Sequence, residues 1–125
     1  MTKLLVAGSR SITGMKTVYD GISSLNLNIG EIISGHANGV DILGEQYALL
    51  HDIRVKLFPA DWNKYGKRAG YLRNIEMVNY CDEAVIFWDC ESKGTLHDIE
   101  ELVRVKKKMY LYIVKNNECI LTVYN

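Results

Sequence analysis

Proline is almost absent from this 125-residue sequence, with Pro59 the single case, and there is no serine- or proline-rich tract, no internal repeat and no charge block longer than Lys106-Lys107-Lys108. Nothing therefore marks a linker or a second module, and one domain over residues 1–125 is expected. Long apolar runs are lacking too. None approaches the ~20 residues needed to span a bilayer, and the opening run Leu4–Ala7 is too short for the hydrophobic stretch of a signal peptide, so no membrane partner is expected. Cysteine is scarce: Cys81, Cys90 and Cys119 are odd in number and form no C-x-x-C pair, which fits neither a disulfide framework nor a zinc site. The reading is reduced thiols in a cytoplasm, with no metal and no cofactor. Charge of one sign is missing as well, because 15 basic residues face 15 acidic ones. Without a net positive field, nucleic acid is a disfavoured partner.

What is present is ordinary globular composition, 48% apolar and 24% charged. Short, near-continuous apolar runs at 4–7, 31–34, 55–58, 84–88 and 109–114 suit strands buried on both faces. Between them lie stretches with helical spacing: Val18, Ile22 and Leu25; Val40, Leu43, Tyr47 and Leu50; Leu72, Ile75 and Val78; Leu96, Ile99, Leu102 and Val103. Strand and helix alternate four times, the pattern of right-handed βαβ crossovers. The expected fold is α/β: a Rossmann-like three-layer domain with a mostly parallel sheet. Around Lys115-Asn116-Asn117 the last run and 118–124 read as a hairpin, adding an antiparallel C-terminal edge strand. In such sheets ligands gather beyond the carboxyl ends of the strands.

Each glycine turn falls at such an end. The first run is followed by Gly8-Ser9-Arg10, where glycine admits backbone amides to an anion, the hydroxyl adds a donor and arginine can grip two phosphate oxygens. The spacing is not the G-x-G-x-x-G dinucleotide fingerprint. A second turn, Ser34-Gly35-His36-Ala37-Asn38-Gly39, opens the next helix; Asn38 suits a cap, and Asp41 either complements the helix dipole or holds a ribose hydroxyl. His36 reads either as a surface residue or as an acid or base. A third turn, Lys93-Gly94-Thr95, opens the last helix, with Thr95 as a candidate cap and Asp98 again readable as dipole complement or site carboxylate. Between the second and third, residues 61–68 form a polar, aromatic connection in which Trp62 and Tyr65 either stack a base or pack the loop, while Lys64, Lys67 or Arg68 meets phosphate. Arg73, beside the apolar Leu72, calls for an anion.

This ordered set, Gly8-Ser9-Arg10, Ser34 to Asp41, Arg73-Asn74 with Met77, and Gly94-Thr95, resembles the SLOG superfamily and most of all its YspA-like bacterial and phage branch. The resemblance implies a Rossmann-like sheet, a homo-oligomer (dimer or tetramer), and binding of nucleotides or nucleotide-derived signals such as ADP-ribose relatives. It also implies a bacterial cytosol, or a phage protein acting in the host cytosol. The superfamily's LOG phosphoribohydrolases carry an arginine in R-x-x-x-M and a glutamate in P-G-G-x-G-T-x-x-E. Arg73 to Met77 keeps the first pattern, whereas the second keeps only Gly94-Thr95 and places Asp98 where the glutamate would stand.

The expected site is thus Gly8, Ser9, Arg10, Ser34, Gly35, His36, Ala37, Asn38, Gly39, Asp41, Trp62, Arg73, Asn74, Gly94 and Thr95, with a nucleotide-derived small molecule as the partner. The leading expectation is a binder that senses or sequesters an ADP-ribose or cyclic ADP-ribose relative, in one version a phage protein soaking up a defence signal. The alternative is a nucleoside-monophosphate N-glycosidase with Arg73 and Asp98 as catalytic residues, Asp98 acting as base. A third reading is single-strand DNA binding, since the DprA core shares the superfamily fold.

Overall fold

The computed structural model describes every residue from Met1 to Asn125. Six strands, β1 (Thr2–Gly8), β2 (Ile29–Ser34), β3 (Arg54–Leu57), β4 (Glu83–Trp88), β5 (Lys108–Lys115) and β6 (Glu118–Tyr124), form one sheet in the order β3-β2-β1-β4-β5-β6. All neighbours pair in parallel except β5 and β6, which form the antiparallel hairpin expected from the sequence.

The apolar runs become strands because both faces of the central sheet are covered. Leu4 and Val6 of β1 face one side, where α1 (Met15–Ser23) and α2 (Val40–Leu50) bring Val18, Ile22, Val40 and Tyr47 against them. Leu5 and Ala7 face the other, packed with Met77 of α4 (Ala69–Tyr80) and Leu102 of α5 (Lys93–Arg104). Each fully buried Leu or Ile is worth about 1.5–3 kcal/mol.

Burial on both faces does not extend to the edges. All four residues of β3 and all seven of β6 are exposed, because two helices on each face cover only the central strands. The connection at 61–68 is also more ordered than a loop. A one-turn helix, α3 (Trp62–Tyr65), is capped by the Asp61 side chain accepting from the Lys64 amide at 3.1 Å, and a 3-10 turn over Gly66–Arg68 leads into α4. Leu25 lies just past the end of α1 and packs on the same cluster from there.

The chain moves from β1 outward to β2 and β3, then crosses to β4 on the other side of β1. The topological switch point therefore lies between β1 and β4, where the loops leaving them diverge.

Candidate functional site

The loop after β1 is fastened before it can bind anything. A Cβ on Gly8 would collide with the Phe87 carbonyl and approach Val40 Cγ2 to 2.7 Å, so β1, β4 and α2 meet closely there. Ser9 is fully buried; its hydroxyl accepts from the Asp89 amide at 3.1 Å and lies 3.5 Å from Thr95 Oγ1. Its place is in the frame joining the β1 and β4 loops. Arg10, by contrast, is exposed and takes part in no ion pair.

The turn after β2 is built around two glycines. Gly39 has φ +82°, and a Cβ there would lie 2.7 Å from the Ser9 carbonyl oxygen and 2.8 Å from Arg10 Cα, so only glycine fits. It occupies the N-cap position of α2 and offers no side-chain bond, whereas Asn38, the expected cap, is exposed one residue earlier. Ser34 is fully buried and turned inward, accepting from the His36 amide at 3.0 Å and donating to Glu45 Oε2 at 2.6 Å. The same Glu45 holds the His36 ring, with Nδ1 at 2.9 Å. Asp41, in the first turn of α2, is buried and accepts from the Ala37 amide at 3.2 Å. Burial pushes its carboxyl up to about 6, against the pull of the Ala37 amide and the Arg73 cation.

Arg73 reaches across from α4 to this turn. Its Nη1 donates to the Gly35 carbonyl at 2.6 Å, and its Nε donates to Asn74 Oδ1 at 2.9 Å. A Cβ on Gly35 would sit 2.6 Å from Nη1 and 3.0 Å from Cζ, so the guanidinium occupies the space that the missing side chain leaves. Asn74 is buried and acts as a tie: its Nδ2 donates to the Gly94 carbonyl at 3.4 Å and lies 3.2 Å from His97 Nδ1.

The turn after β4 differs from expectation. Ser92, not Thr95, caps α5, accepting from the Thr95 amide at 3.3 Å and from Thr95 Oγ1 at 3.0 Å. Asp89 accepts from the Ser11 hydroxyl at 2.6 Å and from the Glu91 and Ser92 amides at 2.8 Å each. Desolvation alone would raise its carboxyl, but these donors outweigh it and hold it at about 2. Thr95 is buried, and Gly94 has open space where a Cβ would go. Asp98 lies in the second turn of α5 rather than the first, and its buried Oδ1 has no hydrogen-bond partner. Burial, reinforced by the nearby Asp41 and only partly opposed by Arg73, holds its carboxyl well above the usual range.

These parts enclose a groove over the switch point, made of three hollows that all have Arg10 and Arg73 in their walls. An inner one of ≈ 90 Å³ runs from Gly8 and Ala37 past Asp41 to Thr95 and Asp98. Two outer ones of ≈ 230 Å³ each have Trp62 in their walls: one continues to Lys67 and Tyr71, the other to Gly35, His36 and Pro59. Trp62 lies over Gly70, its Cη2 3.3 Å from the place of the absent Cβ. Tyr65 lies outside the groove, beneath Lys64 Nζ at 5.1 Å from its ring centre. Tyr71 was not anticipated; its ring meets His97 edge-on at 4.6 Å, and only its place two residues before Arg73 could have suggested it. A larger hollow of ≈ 370 Å³ beside α1 includes Lys16, whose charge is already met by Asp20 at 2.6 Å. The groove, not that hollow, combines unpaired cations with open aromatic surface. No group of three or more His, Cys, Asp and Glu side chains is arranged to hold a metal, and no helix is long and apolar enough to cross a membrane.

A Rossmann-like α/β sheet with a glycine-walled groove at its switch point defines the class. Within it, the profile of the YspA, cpYpsA-related SLOG family matches residues 2–65, and the chain belongs to that family. Among curated proteins it is 32% identical over 111 residues to the Gene 61 protein of Mycobacterium phage D29, covering 81% of this chain and 88% of that protein. Among solved structures it resembles the X-ray structure of DNA processing protein A (DprA) from Streptococcus pneumoniae, with a TM-score of 0.69 at 19% identity. That match covers 87% of this chain but 49% of the DprA chain, and it shows a shared fold.

Proposed function

We propose that the protein binds a phosphate-bearing, nucleotide-derived small molecule in this groove, with ADP-ribose and its cyclic relative as the leading ligand class and sensing or sequestration as the role. The observation that carries the reading is Arg73: one edge of its guanidinium is fixed on the Gly35 carbonyl, and it lies with the unpaired Arg10 in the walls of a groove that Trp62 also lines. A fixed guanidinium loses little freedom on meeting phosphate oxygens, and an exposed indole offers a stacking face for a base.

Calorimetry with AMP, ADP-ribose and cyclic ADP-ribose tests this. Binding of at least one, weakened about tenfold or more in Arg73→Ala, is expected, since losing a charged hydrogen bond costs about 1.5–3 kcal/mol. Absence of heat from all three would overturn the reading.

A second reading, N-glycosidic cleavage of nucleoside monophosphates, is favoured by one observation, the unpartnered Asp98 oxygen at the end of the inner hollow. Burial and the nearby Asp41 raise this carboxyl well above its usual range, which suits it to donating a proton toward a leaving group more than to the role of base expected from the sequence. Release of free base from AMP, abolished in Asp98→Asn, is the result that reading requires.

A further inference from the structure

Arg73 does more than face the groove. Its Nη1 is spent on Gly35 and its Nε on Asn74, while Nη2 lies on the Gly70 side, 3.9 Å from where a Cβ on that residue would be. It stands between the inner hollow, whose end is formed by Asp41 and Asp98, and the outer hollow that contains Trp62 and Lys67.

We propose that Arg73 divides the groove into two compartments of opposite preference: the inner one, ending at Asp41 and Asp98, takes an uncharged hydroxyl-bearing group such as the edge of a pentose ring and rejects phosphate, which binds outside among Arg10, Lys67 and Trp62. This rests on the nucleotide-binding reading above and assigns its parts. Three observations carry it. The Asp98 oxygen is buried and unpartnered in the inner wall, so a ligand group with a hydrogen bond to exchange relieves a cost already present in the free protein. A hydroxyl both donates and accepts, so it can meet the Asp41 and Asp98 carboxyls in either protonation state; a phosphate dianion has no proton to give and adds charge beside Asp41. Size agrees, because ≈ 90 Å³ inside against ≈ 230 Å³ outside leaves the base and phosphate to the larger compartment.

The test is calorimetry at pH 7.5 with adenosine, AMP, adenosine 2′,5′-bisphosphate and adenosine 3′,5′-bisphosphate. AMP is expected to bind, and both bisphosphates to bind about tenfold or more weakly than AMP, because a phosphate has replaced a ribose hydroxyl. Asp41→Asn keeps an acceptor for the Ala37 amide and should remove most of that penalty. Lys67→Ala, on the exposed 3-10 turn, should weaken AMP about tenfold and leave adenosine unchanged. Bisphosphates that bind as tightly as AMP, or a Lys67→Ala loss equal for AMP and adenosine, would overturn the division while leaving the nucleotide reading intact. No binding by any of the three phosphorylated probes would overturn the division, and would remove the nucleotide reading with it only if ADP-ribose and cyclic ADP-ribose also give no heat.

Discussion

The turns after β2 and β4 look alike in sequence, small residues and glycine running into a helix, yet they are built on opposite plans. After β4 the loop satisfies itself: Ser92 caps α5 and Asp89 gathers three donors. After β2 the N-cap is a glycine without a side chain, and the shape is enforced by backbone crowding against Ser9 and Arg10. Their aspartates follow suit, Asp89 held at about 2 and Asp41 pushed up to about 6. One turn is held by donors converging on its own carboxylate; the other is held by backbone crowding and by the Arg73 guanidinium on its Gly35 carbonyl. Glycine content alone does not tell them apart.

The contrast can be broken most forcefully at Gly39. Gly39→Ala combines a left-handed backbone with contacts of 2.7–2.8 Å to the β1 loop, and about 2–4 kcal/mol of destabilisation is expected by urea unfolding. A harmless substitution would mean that crowding does not shape this turn.

Acidity sharpens the contrast next. Because the folded Asp41 keeps its proton up to about pH 6 while an unfolded aspartate loses it near pH 4, its contribution to stability is fully present below pH 4 and falls as pH rises through 6. The loss is of order 3 kcal/mol. Asp89 works in the other direction, its support present above pH 4 and lost as pH falls toward 2. Unfolding measured at pH 4.5 and 7 should show this slope, to which the raised Asp98 carboxyl adds in the same direction, and Asp41→Asn should reduce it; an unchanged slope would assign it to Asp98.

The smallest effect is at the self-satisfied turn. Ser92→Ala removes one cap, worth about 1 kcal/mol, and should lower the melting temperature by about 3–6 °C. An unchanged melting temperature would mean that the Ser92 cap does not hold this turn.

The sheet was legible because a strand buried on both faces must be apolar at nearly every position, as Leu4 to Ala7 and Ala84 to Phe87 are. Edge strands obey no such rule, and exposed Val55 and Ile120 read like buried ones. In the groove, Arg73, Gly35 and Asp41 were legible by type: a cation near an apolar face, a residue with no side chain, a carboxylate at a helix start. Ser9, Ser34 and Asn74 carry the same residue signals as ligand donors but serve the backbone and neighbouring side chains, because buried polar groups need partners wherever they lie. Trp62 and Tyr65 could not be separated, since what seats Trp62 is Gly70, eight residues on, a contact that no local pattern announces.

The central position of β1 also sets an order of assembly. Its pairing with β2 needs only a local crossover, but Leu4 is matched to Glu83, which is synthesised about 80 residues later, roughly 4–16 s at about 5–20 residues per second. Until then β1, apolar from Leu4 to Ala7, has one unpaired edge on the growing chain. The groove over the switch point cannot exist before that second pairing closes and α5 follows it, so during translation it forms late, with only β5 and β6 still to be added to the sheet.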